Sequence, residues 1–121
     1  MTPSPMKTLK QKFVVPTIET AVSALLMGDE ARAGDAAGRL ALGDPAAVTT
    51  ALGGLVMTAS NKRGEKPIET ASYLPQENLA DAKRLIVALR TEDTKTIKEV
   101  SGNEYHTLMS LMLCTLAALR A

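Results

Sequence analysis

Residues 106–119 read His106-Thr-Leu-Met-Ser-Leu-Met-Leu-Cys-Thr-Leu-Ala-Ala-Leu119, and none of these side chains carries a formal charge at pH 7. When the stretch is wound as a helix, apolar side chains fall on every face, which is typical of a helix buried in a bundle or under a partner. It is shorter than the roughly 20 residues that a helix needs to cross a bilayer. The stretch therefore predicts a central packing helix and no membrane span.

The residues just before this stretch, Ser101-Gly-Asn-Glu104, match a capping box. In that motif the serine hydroxyl accepts from the amide three residues later, and the glutamate carboxylate reaches back to the serine amide. The sequence therefore predicts that the last helix begins near Ser101.

Apolar residues recur at helical spacing through most of the remaining chain. Residues that end or begin helices interrupt that pattern at four places. These are Gly28, Gly43-Asp-Pro45, Asn61-Lys-Arg-Gly64 and Pro75. The segments between these interruptions, with a short helix predicted at 94–100, predict an all-α fold that is a compact bundle of five to six helices.

The second predicted helix, 30–42, has an alanine-rich inward face ending at Leu40. Gly34 and Gly38 each cost about 1 kcal/mol relative to Ala in a helix. We expect them to be tolerated because small residues let a neighbouring helix approach closely.

The first 16 residues are predicted to form an extended, basic N-terminal arm, followed by one helical domain over 17–121. Thr2-Pro-Ser-Pro5 contains two prolines, which lack amide donors and disfavour a helical residue before them. The arm carries lysines and no acidic residue. Its last part, 12–16, is predicted to lie extended with its apolar side chains docked on the body, and Pro16 to end it.

Composition supports a helical core and limits the function. Apolar residues make up 45% of the chain and aromatic residues only 2%, which disfavours sheet architectures and platforms that stack bases. The single cysteine, Cys114, is predicted to be a small buried hydrophobe. A lone cysteine and a start without an apolar signal region fit a cytoplasmic protein.

No motif in the sequence predicts catalysis. Phosphate-binding loops, dinucleotide fingerprints and paired metal-ligand motifs are missing from it. Its one histidine, His106, stands two residues after Glu104, and on a regular helix the two side chains would diverge. We therefore predict a protein that is not an enzyme, with no catalytic residue, metal site or cofactor.

The leading hypothesis is a helical assembly or protein-interaction subunit, a small component of a larger complex or a homo-oligomer. It would bind a protein partner or a second copy through Leu111, Met112, Leu113 and Leu119 of the last helix. The competing interpretation is that this helix is the central helix of its own domain, fully covered by its own chain.

The alternative hypothesis is a subunit that binds the nucleic-acid backbone without reading sequence. Its phosphate contacts would come from a discontinuous set of basic residues. These are Lys7, Lys10, Lys12, Lys62, Arg63, Lys66, Lys83 and Arg84. The competing interpretation is ordinary solubilising charge, because the net charge is only +1.

Overall fold

The computed structural model describes the backbone of residues 5–121 and the side chains of residues 13–121. Within this part of the chain the predicted all-α class is confirmed. The helices are α1 (Pro5–Met27), α2 (Glu30–Ala41), α3 (Pro45–Arg63), α4 (Gln76–Arg90), α5 (Thr94–Ser101) and α6 (Tyr105–Arg120). The connector between α3 and α4 contains a single isolated bridge between Ala71 and Leu74. The first four residues of the predicted arm lie outside the described residues.

Residues 13–16 are helical, so the predicted extended segment there is wrong, and α1 does not begin at Thr17. Pro16 lies inside the helix. Val14, Ile18 and Val22 are buried on one face of α1, and this burial outweighs the cost of the proline. The hydroxyl of Thr17 also donates to the Phe13 carbonyl at 2.7 Å.

One cluster of buried aliphatic side chains draws on α1, α2, α3, α4 and α6. α1 packs along α2, and α6 lies against both α3 and α1. The cluster contains the predicted inward faces of the helices, including Leu52 on α3, Leu85 on α4 and Leu116 on α6, all fully buried. Apolar spacing along α1 predicts that Ile18, Ala21, Val22, Leu25 and Leu26 share the inward face. Leu26 departs from this prediction, because it is exposed while Ala24 is buried.

The predicted capping box at Ser101 is wrong. Ser101 is the last residue of α5, and its hydroxyl donates to the Ile97 carbonyl at 2.8 Å. Gly102 and Asn103 follow with φ of 61° and 58°, and the Asn103 amide donates to the Lys98 carbonyl at 2.8 Å. This is a Schellman ending. The motif that predicted the start of a helix therefore contains the ending of the helix before it, and α6 begins at Tyr105.

The prediction that the glycines of α2 permit a close helix contact is also wrong. Ala33, Ala36 and Leu40 form the buried face as expected. A Cβ atom built at Gly34 or Gly38, however, would meet nothing within 4 Å outside its own helix turn. These glycines destabilise α2 without a compensating contact.

We expect Gly38→Ala to raise the free energy of unfolding by about 0.5–1 kcal/mol, because alanine restricts the unfolded chain and meets no atom in the folded one. Urea denaturation would measure it. The matched control is Gly102→Ala, where φ is 61° and a side chain is strained, so that variant should be less stable than the parent. Equal destabilisation by both substitutions would contradict the prediction.

Candidate functional site

The α6 residues predicted to bind a partner are placed mostly inside the chain's own core. Met112, Leu113 and Leu119 are buried, and Leu111 is half-buried. The sequence leaves open whether α6 is the central helix of the domain or an interface with a partner. The burial of these three side chains is what a central helix requires. Binding of a partner through them would require α6 to leave the bundle.

His106 and Glu104 lie closer together than a regular helix would allow. Glu104 has extended backbone angles, φ −122° and ψ 130°, because it precedes α6. As a result His106 Nδ1 lies 3.8 Å from Glu104 Oε1, and both side chains are exposed. This separation is too long for a hydrogen bond. The pair is a loose contact on the surface, where water surrounds both side chains.

Tyr105 has a structural role. Its hydroxyl donates to the Leu40 carbonyl at 2.7 Å and so ties the start of α6 to the end of α2. Burial, and after it the nearby Asp44 carboxylate, raise the pKa of Tyr105. The hydroxyl therefore stays protonated and able to donate at neutral pH.

His106 and Cys114 line a cleft of about 460 Å³ between the connector, α4 and α6. Tyr73, Asp81 and Ser110 also line it. A catalytic role for His106 would need neighbouring groups such as Glu104 and Tyr105 in the same pocket. Neither of them lines this cleft. Among the described residues, no group of three or more His, Cys, Asp or Glu side chains could hold a metal ion.

Cys114 lies at the inner wall of this cleft, and burial raises the pKa of its thiol. The reactive thiolate is therefore disfavoured. We expect the native protein to react with a thiol-specific reagent such as dithionitrobenzoate far more slowly than free cysteine at the same pH. Addition of denaturant should restore full labelling. Rapid labelling of the native protein would show that the thiol is accessible and ionised.

Two of the predicted phosphate-binding arginines already have protein partners. Arg63 donates to backbone carbonyls on two segments: to Lys66 at 3.1 Å, Pro67 at 2.6 Å, Leu119 at 3.1 Å and Ala121 at 3.3 Å. It therefore joins the end of α6 to the connector. Arg84 forms an ion pair with Glu99 at 3.0 Å.

Among residues 13–121, two of the remaining predicted basic side chains share a cleft and the third lies elsewhere. Lys62 and Lys66 line a cleft of about 630 Å³ with Arg63 and Arg120, and Arg120 forms an ion pair with Glu19. Since α3 and α6 both end here, these cations face the negative ends of two helix dipoles. Lys83 is exposed on α4. The side chains of Lys7, Lys10 and Lys12 lie outside the described residues.

The structure reveals a surface that the sequence did not predict. A cleft of about 440 Å³, here named the α1–α3 cleft, opens between α1 and the turn that joins α2 to α3. It is lined by Phe13, Val14, Thr17, Arg39, Leu40, Leu42, Gly43, Asp44 and Val48. Its floor contains buried Val14, Leu40 and Val48, whereas Phe13 is 70% exposed and Leu42 is 91% exposed.

The apolar residues near Phe13 are visible in the sequence, but the sequence predicts that they are buried and not exposed. Phe13 was expected to dock on the body as part of an extended segment. On a helix, however, Phe13 and Val14 face different directions, so Val14 is buried and Phe13 is exposed. Leu42 follows the last residue of α2, where helical periodicity no longer predicts which side chain points inward.

Comparisons with known proteins add no family to this description. No protein-family model matches the chain, and searches of curated proteins and of solved structures found no match. Among the described residues, none of the helices combines the length and the apolar character that crossing a membrane requires.

Proposed function

We propose that this chain is a non-enzymatic protein-interaction or assembly subunit, and that it binds its partner through the α1–α3 cleft. The observation that carries the proposal is the exposure of Phe13 and Leu42, 70% and 91%, on either side of an apolar floor. Aromatic side chains are enriched in protein interfaces, and exposed apolar side chains grouped around a hollow mark interaction sites. The proposal therefore places the binding surface at this cleft and not on α6, whose apolar side chains are mostly buried.

Leu42 is presented by a fixed turn. Its amide donates to the Gly38 carbonyl at 3.2 Å, and the next amide, of Gly43, donates to the Leu40 carbonyl at 3.1 Å. The Tyr105 hydroxyl holds that same Leu40 carbonyl. These bonds fix the backbone on both sides of the bend, and the Leu42 side chain on it is 91% exposed. An exposed leucine held in this way is available to a partner.

Site-specific photocrosslinking in the cells that produce the protein tests this proposal. Photoreactive p-benzoylphenylalanine at position 42 should give a covalent adduct of discrete mass with a protein on irradiation. The matched control is the same group at position 87, since Val87 is 58% exposed on α4 and lies outside the cleft. Lack of a discrete adduct at position 42, or equal adducts at both positions, would overturn the proposal.

Nucleic-acid backbone binding is a second candidate, supported only by the cleft that Lys62 and Lys66 share with two arginines. Arg63 and Arg84 are engaged by the protein, so among residues 13–121 the predicted set leaves only lysines for phosphates. Binding to a random duplex should therefore be weak and lost at physiological salt. Fluorescence anisotropy at low ionic strength would detect it. No binding at low ionic strength would remove this candidate, and unchanged binding after Lys62→Ala and Lys66→Ala together would remove this cleft as its site.

A further inference from the structure

We infer that the occupant of the α1–α3 cleft is the same cleft of a second copy of this chain, related to the first by a two-fold axis. This inference rests on the proposed function, since it names the partner for the surface proposed there. A two-fold interface requires that one surface carry both halves of each contact. The α1–α3 cleft meets this requirement in its shape and in its charges.

The shape of the surface is self-complementary. Phe13 and Leu42 project beside a hollow floored by Val14, Leu40 and Val48. A volume of about 440 Å³ lies in the range of pockets that enclose small ligands, so it has room for one projecting side chain. In a two-fold pair, each copy would insert its own projecting side chain into the hollow of the other. Such reciprocal insertion removes both apolar rims from water.

The charges of the cleft indicate the same partner. Its lining includes one anion, Asp44, and one cation, Arg39, which forms an ion pair with Asp35 at 2.6 Å. Both side chains of that pair are about two-thirds exposed, so the pair is weak and can be exchanged for a contact across an interface. The Asp44 side chain caps no amide of α3, and among the described residues it forms no ion pair. Under a two-fold axis, Arg39 of each copy can face Asp44 of the other. A strongly acidic or strongly basic partner would be opposed by one of these two charges.

The first test is the solution mass of the purified chain from micromolar to millimolar concentration, at low and at high salt. We expect the mass to rise from 12.8 kDa toward twice that value, with the rise persisting at high salt because the contact is mainly apolar. Leu42→Asp should weaken dimerisation by more than about tenfold, whereas Val87→Asp should not. A constant monomer mass, or a dimer that Leu42→Asp leaves intact, would overturn the inference.

Charge reversal tests the two-fold arrangement itself. Arg39→Glu and Asp44→Arg should each weaken the homodimer, because each places like charges opposite one another. When the two variants are mixed, both cross-contacts become opposite in sign, so a heterodimer should form at concentrations where each variant alone is monomeric. Circular dichroism melts would verify that both variants are folded. No recovery on mixing would overturn the arrangement.

The photocrosslinking experiment separates this inference from the proposed function. An adduct at position 42 that yields peptides of this chain alone, at twice its mass, supports both. An adduct with a different protein supports the interaction subunit but overturns self-association. No adduct overturns both.

Discussion

Replacing Leu116 with alanine is expected to lower the free energy of unfolding by about 3 kcal/mol. Leu116 is fully buried in the middle of α6 and belongs to the main core cluster. The substitution removes apolar area and leaves a cavity that neighbouring helices can fill only in part. Since domains are stable by roughly 5–15 kcal/mol in total, the loss should be plain in a chemical denaturation curve.

This experiment also decides whether α6 is a core helix or an interface. If the helix is core, Leu116→Ala changes stability and leaves the concentration dependence of the mass unchanged. The control is Val87→Ala, on the exposed surface of α4, which should change stability by less than about 0.5 kcal/mol. An effect of Leu116→Ala no larger than that of the control would contradict the placement of α6 in the core.

Replacing Arg63 with alanine is expected to lower the free energy of unfolding by about 2 kcal/mol. The guanidinium donates to four carbonyls, and the contact with Leu119 is partly buried. Removal of the donors frees the connector from the end of α6 and leaves the Leu119 carbonyl short of a partner. Arg63→Lys should recover little stability, because an ammonium group cannot present the forked donor geometry of a guanidinium.

The matched control for Arg63 is its neighbour, because Lys62 carries the same charge but is exposed. Lys62→Ala should change stability by less than about 0.5 kcal/mol. Hydrogen exchange gives a second measurement: in Arg63→Ala, exchange should speed up in the last turn of α6 and in the connector but not in α2. Equal losses from the two variants would show that general charge, and not the carbonyl contacts, accounts for the effect.

Much of the helical architecture was predictable because helix periodicity and helix ends are local properties. The Gly28-Asp29 boundary formed as expected: Gly28 has φ 76°, and Asp29 accepts from the Arg32 amide at 3.1 Å. Pro45 occupies the first turn of α3, and Pro75 precedes α4. The buried faces of α2, α3 and α4 match the predicted spacing. Each of these features depends on a few neighbouring residues.

Local signals failed where one residue type serves two purposes. The stretch from Ser101 to Glu104 is consistent with a capping box before a helix and with the left-handed ending of the preceding helix. In the structure it ends α5, with Gly102 at φ 61°. Pro16 usually breaks a helix, yet the buried face through Val14 and Ile18 keeps α1 continuous. At Pro16, the packing of the buried face contributes more free energy than the local preference against a helix.

The sequence by itself determined the all-α class, most helix boundaries and the apolar character of α6, because these follow from periodicity and from the backbone preferences of Gly, Pro and Asp. Only the tertiary structure decided which apolar residues stay exposed. It buried Met112, Leu113 and Leu119, engaged Arg63 with carbonyls, and exposed Phe13 and Leu42 beside one cleft. Exposure is a property of how helices pack, and contacts between residues far apart in the chain leave no periodic signal along it.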